Sequence, residues 1–199
     1  MMVYRLSILI FKIFFFFLLD ITVKGMENVP DKGPAILVAN HPSLLDGPLL
    51  VLLVKRRFNA YAKQSAFNSR IKLWYLKAMG GIPVGLGKFD RLFVTETKRR
   101  LDNGNFLLIF PEGKVSYSSE PGEFKNSFVK LAIQFNVPII PIKIKGSEKS
   151  LAKGQRFPKP AKIDVIFGKL LKYDLSNGKL NKDEVQQEVE KVQNIIKKM

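Results

Sequence analysis

The sequence has no cysteine and a single histidine, His41, among its 199 residues. Disulfides and thiolate chemistry are therefore excluded. Zinc takes three or four ligands rich in His and Cys, so one histidine argues against a zinc site. An all-oxygen Mg²⁺ or Ca²⁺ site stays open on composition alone. Acidic residues are scarce as well: 17 Asp and Glu face 33 Lys and Arg, for a formal net charge of +16. Segment 47–89 has no acidic residue, yet it carries Lys55, Arg56, Arg57, Lys63, Arg70, Lys72, Lys77 and Lys88. Between them stand Phe58, Tyr61, Phe67, Trp74 and Tyr75. Such a surface suits an anionic membrane, an acidic protein or nucleic acid, and it is also what a plain solvated face looks like. There is no Ser/Gly run, low-complexity spacer or internal repeat, so residues 21–199 read as one domain with a sizeable core.

What the chain does have is an apolar start. Val3–Leu19 reads VYRLSILIFKIFFFFLL, interrupted by Arg5 and Lys12. A spanning helix takes about 20 apolar residues. This run is shorter and has a cation in its middle, where Lys12 can snorkel to an interface. No small-x-small cleavage site follows it. Residues 1–20 are therefore expected to form an uncleaved membrane-anchoring helix that sits in one leaflet; a signal peptide is the competing reading. A buried core helix fits less well, because apolar residues surround the whole circumference.

Downstream, short apolar runs alternate with helical patterns. Strands are expected at Ile21–Val23, Ala35–Ala39, Ala60–Ala62, Ile82–Val84, Phe106–Phe110, Val137–Ile144 and Ile163–Phe167. Helices are expected at Leu44–Val54 (beginning near Pro42), Ser69–Met79, Asp90–Leu101, Phe124–Phe135 and Lys182–Lys198. The last opens with Asn181 and Glu184 at capping-box spacing. Pro138 and Pro141 place the Val137–Ile144 strand near an edge or at a bulge. The alternation predicts an α/β fold, a mostly parallel mixed sheet flanked by helices. Sites in such sheets gather where loops leave the carboxyl ends of strands. AILVA runs into Asn40-His41, and FLLIF runs into Pro111-Glu112-Gly113. If these strands are parallel, His41 and Glu112 share one edge.

The segment Asn40-His41-Pro42-Ser43-Leu44-Leu45-Asp46-Gly47 holds the only histidine, with an aspartate five residues on. Imidazole titrates near neutrality and suits the removal of a proton from a hydroxyl. A carboxylate on its other nitrogen would fix the tautomer. On a continuous helix five residues turn about 500°, which would point the two side chains apart. They can meet only if His41 lies in the loop and Asp46 in the helix that follows. A lone histidine near a helix start with an unrelated aspartate is the alternative.

His41-x4-Asp46 within NHPSLLDG, followed by Phe110-Pro111-Glu112-Gly113, resembles the glycerolipid acyltransferase family, typified by 1-acylglycerol-3-phosphate acyltransferases. Gly80-Gly81-Ile82-Pro83-Val84 is similar to its second block and Val137-Pro138-Ile139-Ile140-Pro141 to its fourth. Lys24-Gly25-Met26-Glu27-Asn28-Val29-Pro30 resembles the usual lead-in. Four ordered blocks over residues 22–146 are far more specific than the His-Asp spacing alone. The resemblance implies an enzyme that moves a fatty-acyl group from a thioester, acyl-CoA or acyl-carrier protein, to the free hydroxyl of a lysophospholipid, above all 1-acylglycerol-3-phosphate. It implies His41 as general base and Asp46 as its orienting partner, with Glu112 and Gly113 placing the acceptor or holding the loop. Oxyanion donors would come from the start of the Pro42–Val54 helix or from around Gly113.

Two departures concern the acceptor phosphate. Gly85-Leu86 stand where Asp-Arg is common, and Lys114-Val115-Ser116 where Thr-Arg-Ser is common. Arginine makes bidentate phosphate contacts that lysine does not. Lys63, Lys88, Arg91 and Lys114 are the candidate substitutes, and another acceptor such as a lyso-aminolipid stays open. No cofactor, metal or nucleic-acid partner is expected, and the basic charge with the apolar N-terminus places the protein on an anionic membrane surface, at the cytoplasmic face of the inner or plasma membrane. A non-catalytic basic protein that binds membrane or nucleic acid is the rival from another class.

Overall fold

The computed structural model describes residues 2–63, 68–84, 91–173 and 180–199. Its strands are β1 (Leu19–Lys24), β2 (Ala35–Ala39), β3 (Phe58–Lys63), β4 (Gly81–Val84), β5 (Phe106–Ile109), β6 (Ile139–Lys145) and β7 (Ala161–Phe167). The helices are α1 (Met2–Leu18), α2 (Asp46–Leu53), α3 (Arg70–Ala78), α4 (Arg91–Asp102), α5 (Ser127–Phe135), α6 (Ser147–Ser150) and α7 (Lys182–Lys198). All the strands join one sheet in the order β1-β7-β6-β2-β5-β3-β4. Every pair is parallel except β6–β7. The expected α/β architecture is therefore present.

The burial of the central strands explains the sheet. Every residue of AILVA in β2 and of FLLI in β5 is buried. Side chains alternate across a strand. Ala35, Leu37 and Ala39 thus enter the core beneath α1 and α2, while Ile36 and Val38 enter the core beneath α5 and α7. A strand covered on both faces needs an unbroken apolar run, and these have one. Helix α7 packs Val185, Val189, Val192 and Ile196 into the second core, and its capping box forms as expected. Phe128 of α5 is fully buried there. Truncating Phe128 to alanine is expected to cost about 3–5 kcal/mol, read as a lower denaturant midpoint.

Three expectations need correction. Helix α2 begins at Asp46, not near Pro42, and α5 at Ser127, not Phe124, although Phe124 is still buried. The strand with the two prolines is not at an edge: β6 lies between β2 and β7. Pro138 precedes the strand and only accepts, from the Ile36 N–H at 2.9 Å. Pro141 faces the β7 side just beyond the last paired residue, Phe167, where its carbonyl accepts from Gly168 N–H at 2.8 Å. There the missing N–H breaks no regular ladder.

Helix α1 runs directly into β1. One face, with Tyr4, Ile8, Phe11, Phe15 and Leu18, packs on the first core. The other leaves Leu9, Ile10, Ile13, Phe14, Phe16 and Phe17 exposed. Among the described residues no helix is long and apolar enough to cross a membrane. Part of the basic segment is structural. The Arg56 guanidinium donates to the carbonyls of Pro30, Gly33 and Gly104 and lies 3.9 Å above the Phe106 ring. Arg57 donates to the Ala78 carbonyl.

Candidate active site

Parallel pairing of β2 with β5, in register from Ala35–Phe106 to Val38–Ile109, brings the two loops to one edge. His41 follows β2 and Glu112 follows β5. The chain turns at Pro42-Ser43-Leu44-Leu45 before entering α2. That turn brings the first helical residue, Asp46, back under the imidazole.

The His41 Nδ1 to Asp46 Oδ2 distance is 2.8 Å. Asp46 is fully buried, while the His41 side chain keeps 16% of its surface exposed. The carboxylate also accepts from Ser43 N–H at 2.8 Å and, on its other oxygen, from Ser147 Oγ–H at 2.6 Å. Burial pushes the Asp46 carboxyl above the usual carboxylate range, and the bonds from His41, Ser147 and Ser43 draw it back. A carboxylate on Nδ1 assigns the proton to that nitrogen and leaves the Nε2 lone pair free. Nε2 has no protein partner among the described residues. The ring stacks on Phe110, centroids 3.9 Å apart and planes 13° apart.

Glu112 is buried, and its carboxylate accepts the His41 backbone N–H at 2.9 Å. The His41 carbonyl accepts from the Ser116 N–H at 2.8 Å. The loop after β5 thus grips the histidine backbone on both sides. Gly113 makes the turn possible, with φ of 68° in the left-handed region, and its N–H donates to the Phe110 carbonyl. The N–H groups of Ser43, Leu45 and Asp46 are likewise engaged, by Asp46 Oδ2, Ser43 Oγ and the Ser43 carbonyl. Both expected sources of oxyanion donors are therefore at least partly occupied by local bonds.

The structure brings together His41, Asp46, Glu112 and Gly113. Lys114 is exposed on the same loop. Lys88 lies outside the described residues, as do Gly85 and Leu86 and the side chains of Lys63 and Arg91. Sequence reasoning missed Phe110, Ser116, Ser147 and the role of Asn40. The buried Asn40 side chain accepts from Ile144 N–H at 2.7 Å and donates to the Ile144 carbonyl at 2.8 Å, tying the end of β2 to the end of β6. Its position beside His41 was visible, but its partner lies 104 residues away.

A family model described as Acyltransferase matches residues 20–145. The chain belongs to this family. It is 32% identical over 139 residues, 67% of its length and 38% of the relative's, to a chloroplastic 1-acyl-sn-glycerol-3-phosphate acyltransferase of Arabidopsis thaliana. To a probable 1-acyl-sn-glycerol-3-phosphate acyltransferase of Mycoplasma pneumoniae it is 31% identical over 169 residues, 74% of this chain and 60% of that one. It thus spans less than two thirds of these relatives' lengths. The crystal structure of the 1-acyl-sn-glycerophosphate acyltransferase PlsC from Thermotoga maritima superposes with a TM-score of 0.78 at 26% identity, covering 98% of this chain and 77% of that one. Within the acyltransferase family match lie His41, Asp46 and Glu112, but not Ser147.

Proposed function

We propose that the protein transfers a fatty-acyl group from a thioester to the free hydroxyl of 1-acylglycerol-3-phosphate. The observation that carries this reading is the His41 imidazole, held through Nδ1 by a buried carboxylate with Nε2 free at a loop edge. In the proposed reaction Nε2 takes the hydroxyl proton as the acceptor oxygen attacks the thioester carbonyl. The tetrahedral intermediate collapses, the C–S bond breaks, and the imidazolium returns its proton to the departing thiolate. Asp46 stabilises the imidazolium between these steps. Glu112 acts by holding the His41 backbone and not by touching the acceptor. The names of the Arabidopsis and Mycoplasma relatives support the choice of acceptor.

The donor is acyl-CoA or acyl-carrier protein; the basic character of segment 47–89 suits either, since both are anionic. We place the enzyme on an anionic membrane surface. The support is the exposed apolar face of α1, beside which α3 leaves Ile71 and Trp74 exposed. The exposed face of α1 would lie in one leaflet, while its other face and the β1 residues Leu19 and Asp20 belong to the catalytic domain.

The test is acyl transfer from a labelled thioester, with both donor types, to a panel of lysolipids in vesicles. Lysophosphatidic acid is expected to be the preferred acceptor. Transfer only to an uncharged or amino-headgroup lysolipid would keep the chemistry and overturn the acceptor, as the missing motif arginines would then explain.

A further inference from the structure

We propose that Ser147 is a positioning residue of the reaction, holding Asp46 ionised and aimed so that the His41 ring stays oriented with Nε2 unprotonated at neutral pH. This rests on the reading of His41 as the base. Ser147 and Asp46 are both fully buried, and the hydroxyl donates to Oδ1 at 2.6 Å. The two other donors, His41 Nδ1 and Ser43 N–H, both go to Oδ2. Ser147 is therefore the one donor to Oδ1 among the described residues. A buried carboxylate oxygen without a donor is costly, and a charge-assisted O–H···O⁻ bond is among the strong ones.

The placement of the hydroxyl is built into the fold. Gly146, with φ of 94°, turns the chain out of β6, and a Cβ there would meet the Lys162 carbonyl oxygen at 2.1 Å. Its N–H donates to Glu148 Oε2, while Glu148 Oε1 accepts from Ser119 Oγ at 2.6 Å. Asn40, next to the base, clasps Ile144 just before this turn. Ser147 is thus fixed against the same loops that fix His41. It lies 101 residues from Asp46 and beyond the family-matched segment, so no local motif signals it.

Loss of the hydroxyl has a definite sign. The state in which the pair has lost its proton carries a full negative charge on Asp46 and depends most on the Ser147 bond. The protonated pair depends on it less, because the imidazolium already compensates the carboxylate. Removing Ser147 Oγ therefore raises the apparent pKa of the pair as a whole, whichever residue formally holds the proton. The other charged groups on the elements around the pair are Glu112, Lys114, Glu120, Glu123 and Lys125 of the loop after β5, Lys143 and Lys145 of β6, and Glu148 and Lys149 of α6. The 40–45 turn contributes none, and α2 none besides Asp46. None of these is a histidine, so His41 gives the one imidazole signal in the chain.

The experiment is the NMR titration of His41 together with the pH dependence of kcat, in wild type, Ser147→Ala and Ser147→Thr, with thermal melts alongside. In Ser147→Ala both the His41 midpoint and the acid limb of kcat are expected to rise by roughly half to one unit, with kcat down about tenfold at neutral pH and KM little changed. Ser147→Thr, which keeps the hydroxyl, is expected to restore the midpoint. A His41 midpoint unchanged in Ser147→Ala would overturn the role of Ser147, whatever the activity. A moved midpoint in a chain whose wild type transfers no acyl group would overturn the reaction reading instead, and the role in it.

Discussion

Replacing His41 by alanine is expected to lower acyl transfer by roughly 10³-fold or more, with the folded state and membrane binding retained. General-base catalysis alone contributes about 10²–10⁴-fold. Among the described residues no other group at this edge can take its place: the sequence has no second imidazole and no thiol, and Glu112 is engaged by the His41 backbone. The imidazole is partly exposed and tethered at the surface of the site, so its loss leaves the cores untouched. Helix α1, which carries the exposed apolar face, is equally unaffected. The check is the specific transfer rate of wild type and variant beside their melting curves and vesicle sedimentation. A variant that melts like wild type and transfers at the wild-type rate would remove the base from the mechanism.

Replacing Asp46 by asparagine is expected to lower the rate by about 10²–10³-fold with KM changed far less. The side chain keeps its shape, but the carboxylate is acceptor-only and the amide is not. Ser43 N–H and His41 Nδ1 meet Asp46 at Oδ2. An amide nitrogen placed there opposes the Ser43 N–H and turns Nδ1 into an acceptor, which puts the proton on Nε2 and abolishes the base. An amide oxygen there keeps the tautomer but no longer balances the imidazolium. Either orientation loses rate, while the shape of the side chain and the turn that carries it are kept. A large rise in KM at unchanged kcat would assign Asp46 to binding.

The elements legible in the sequence were those whose signals are local. AILVA and FLLIF announced central strands because burial on both faces demands unbroken apolar runs. The Asn181–Glu184 capping box fixed the start of α7 to the residue. The shared edge of His41 and Glu112 followed from a parallel reading of their strands. The misplaced elements were those governed by distant partners. Two prolines pointed to an edge, yet β6 is interior because Pro141 faces the place where the chain leaves β7. Helix α1 reads as apolar all round, and only the tertiary structure divides it into a packed face and an exposed one. Part of the basic segment suggested a partner surface, but Arg56 is a tie among three backbone carbonyls. In the site, the His-Asp pair was legible because the turn that joins them is short. Ser147 was not, since the hydroxyl reaches Asp46 only after the chain has crossed the sheet.

In the proposed mechanism the acceptor hydroxyl, deprotonated by His41, attacks the thioester directly. The measurement that tests it most directly is rapid mixing of the protein in vesicles with a labelled acyl thioester, with and without lysophosphatidic acid, following label in lipid and on protein. Labelled phosphatidic acid is expected only when the acceptor is present, and no label on the protein at any time. Label bound covalently to the protein before the acceptor is added, or no product from folded wild-type protein with either donor, would contradict it.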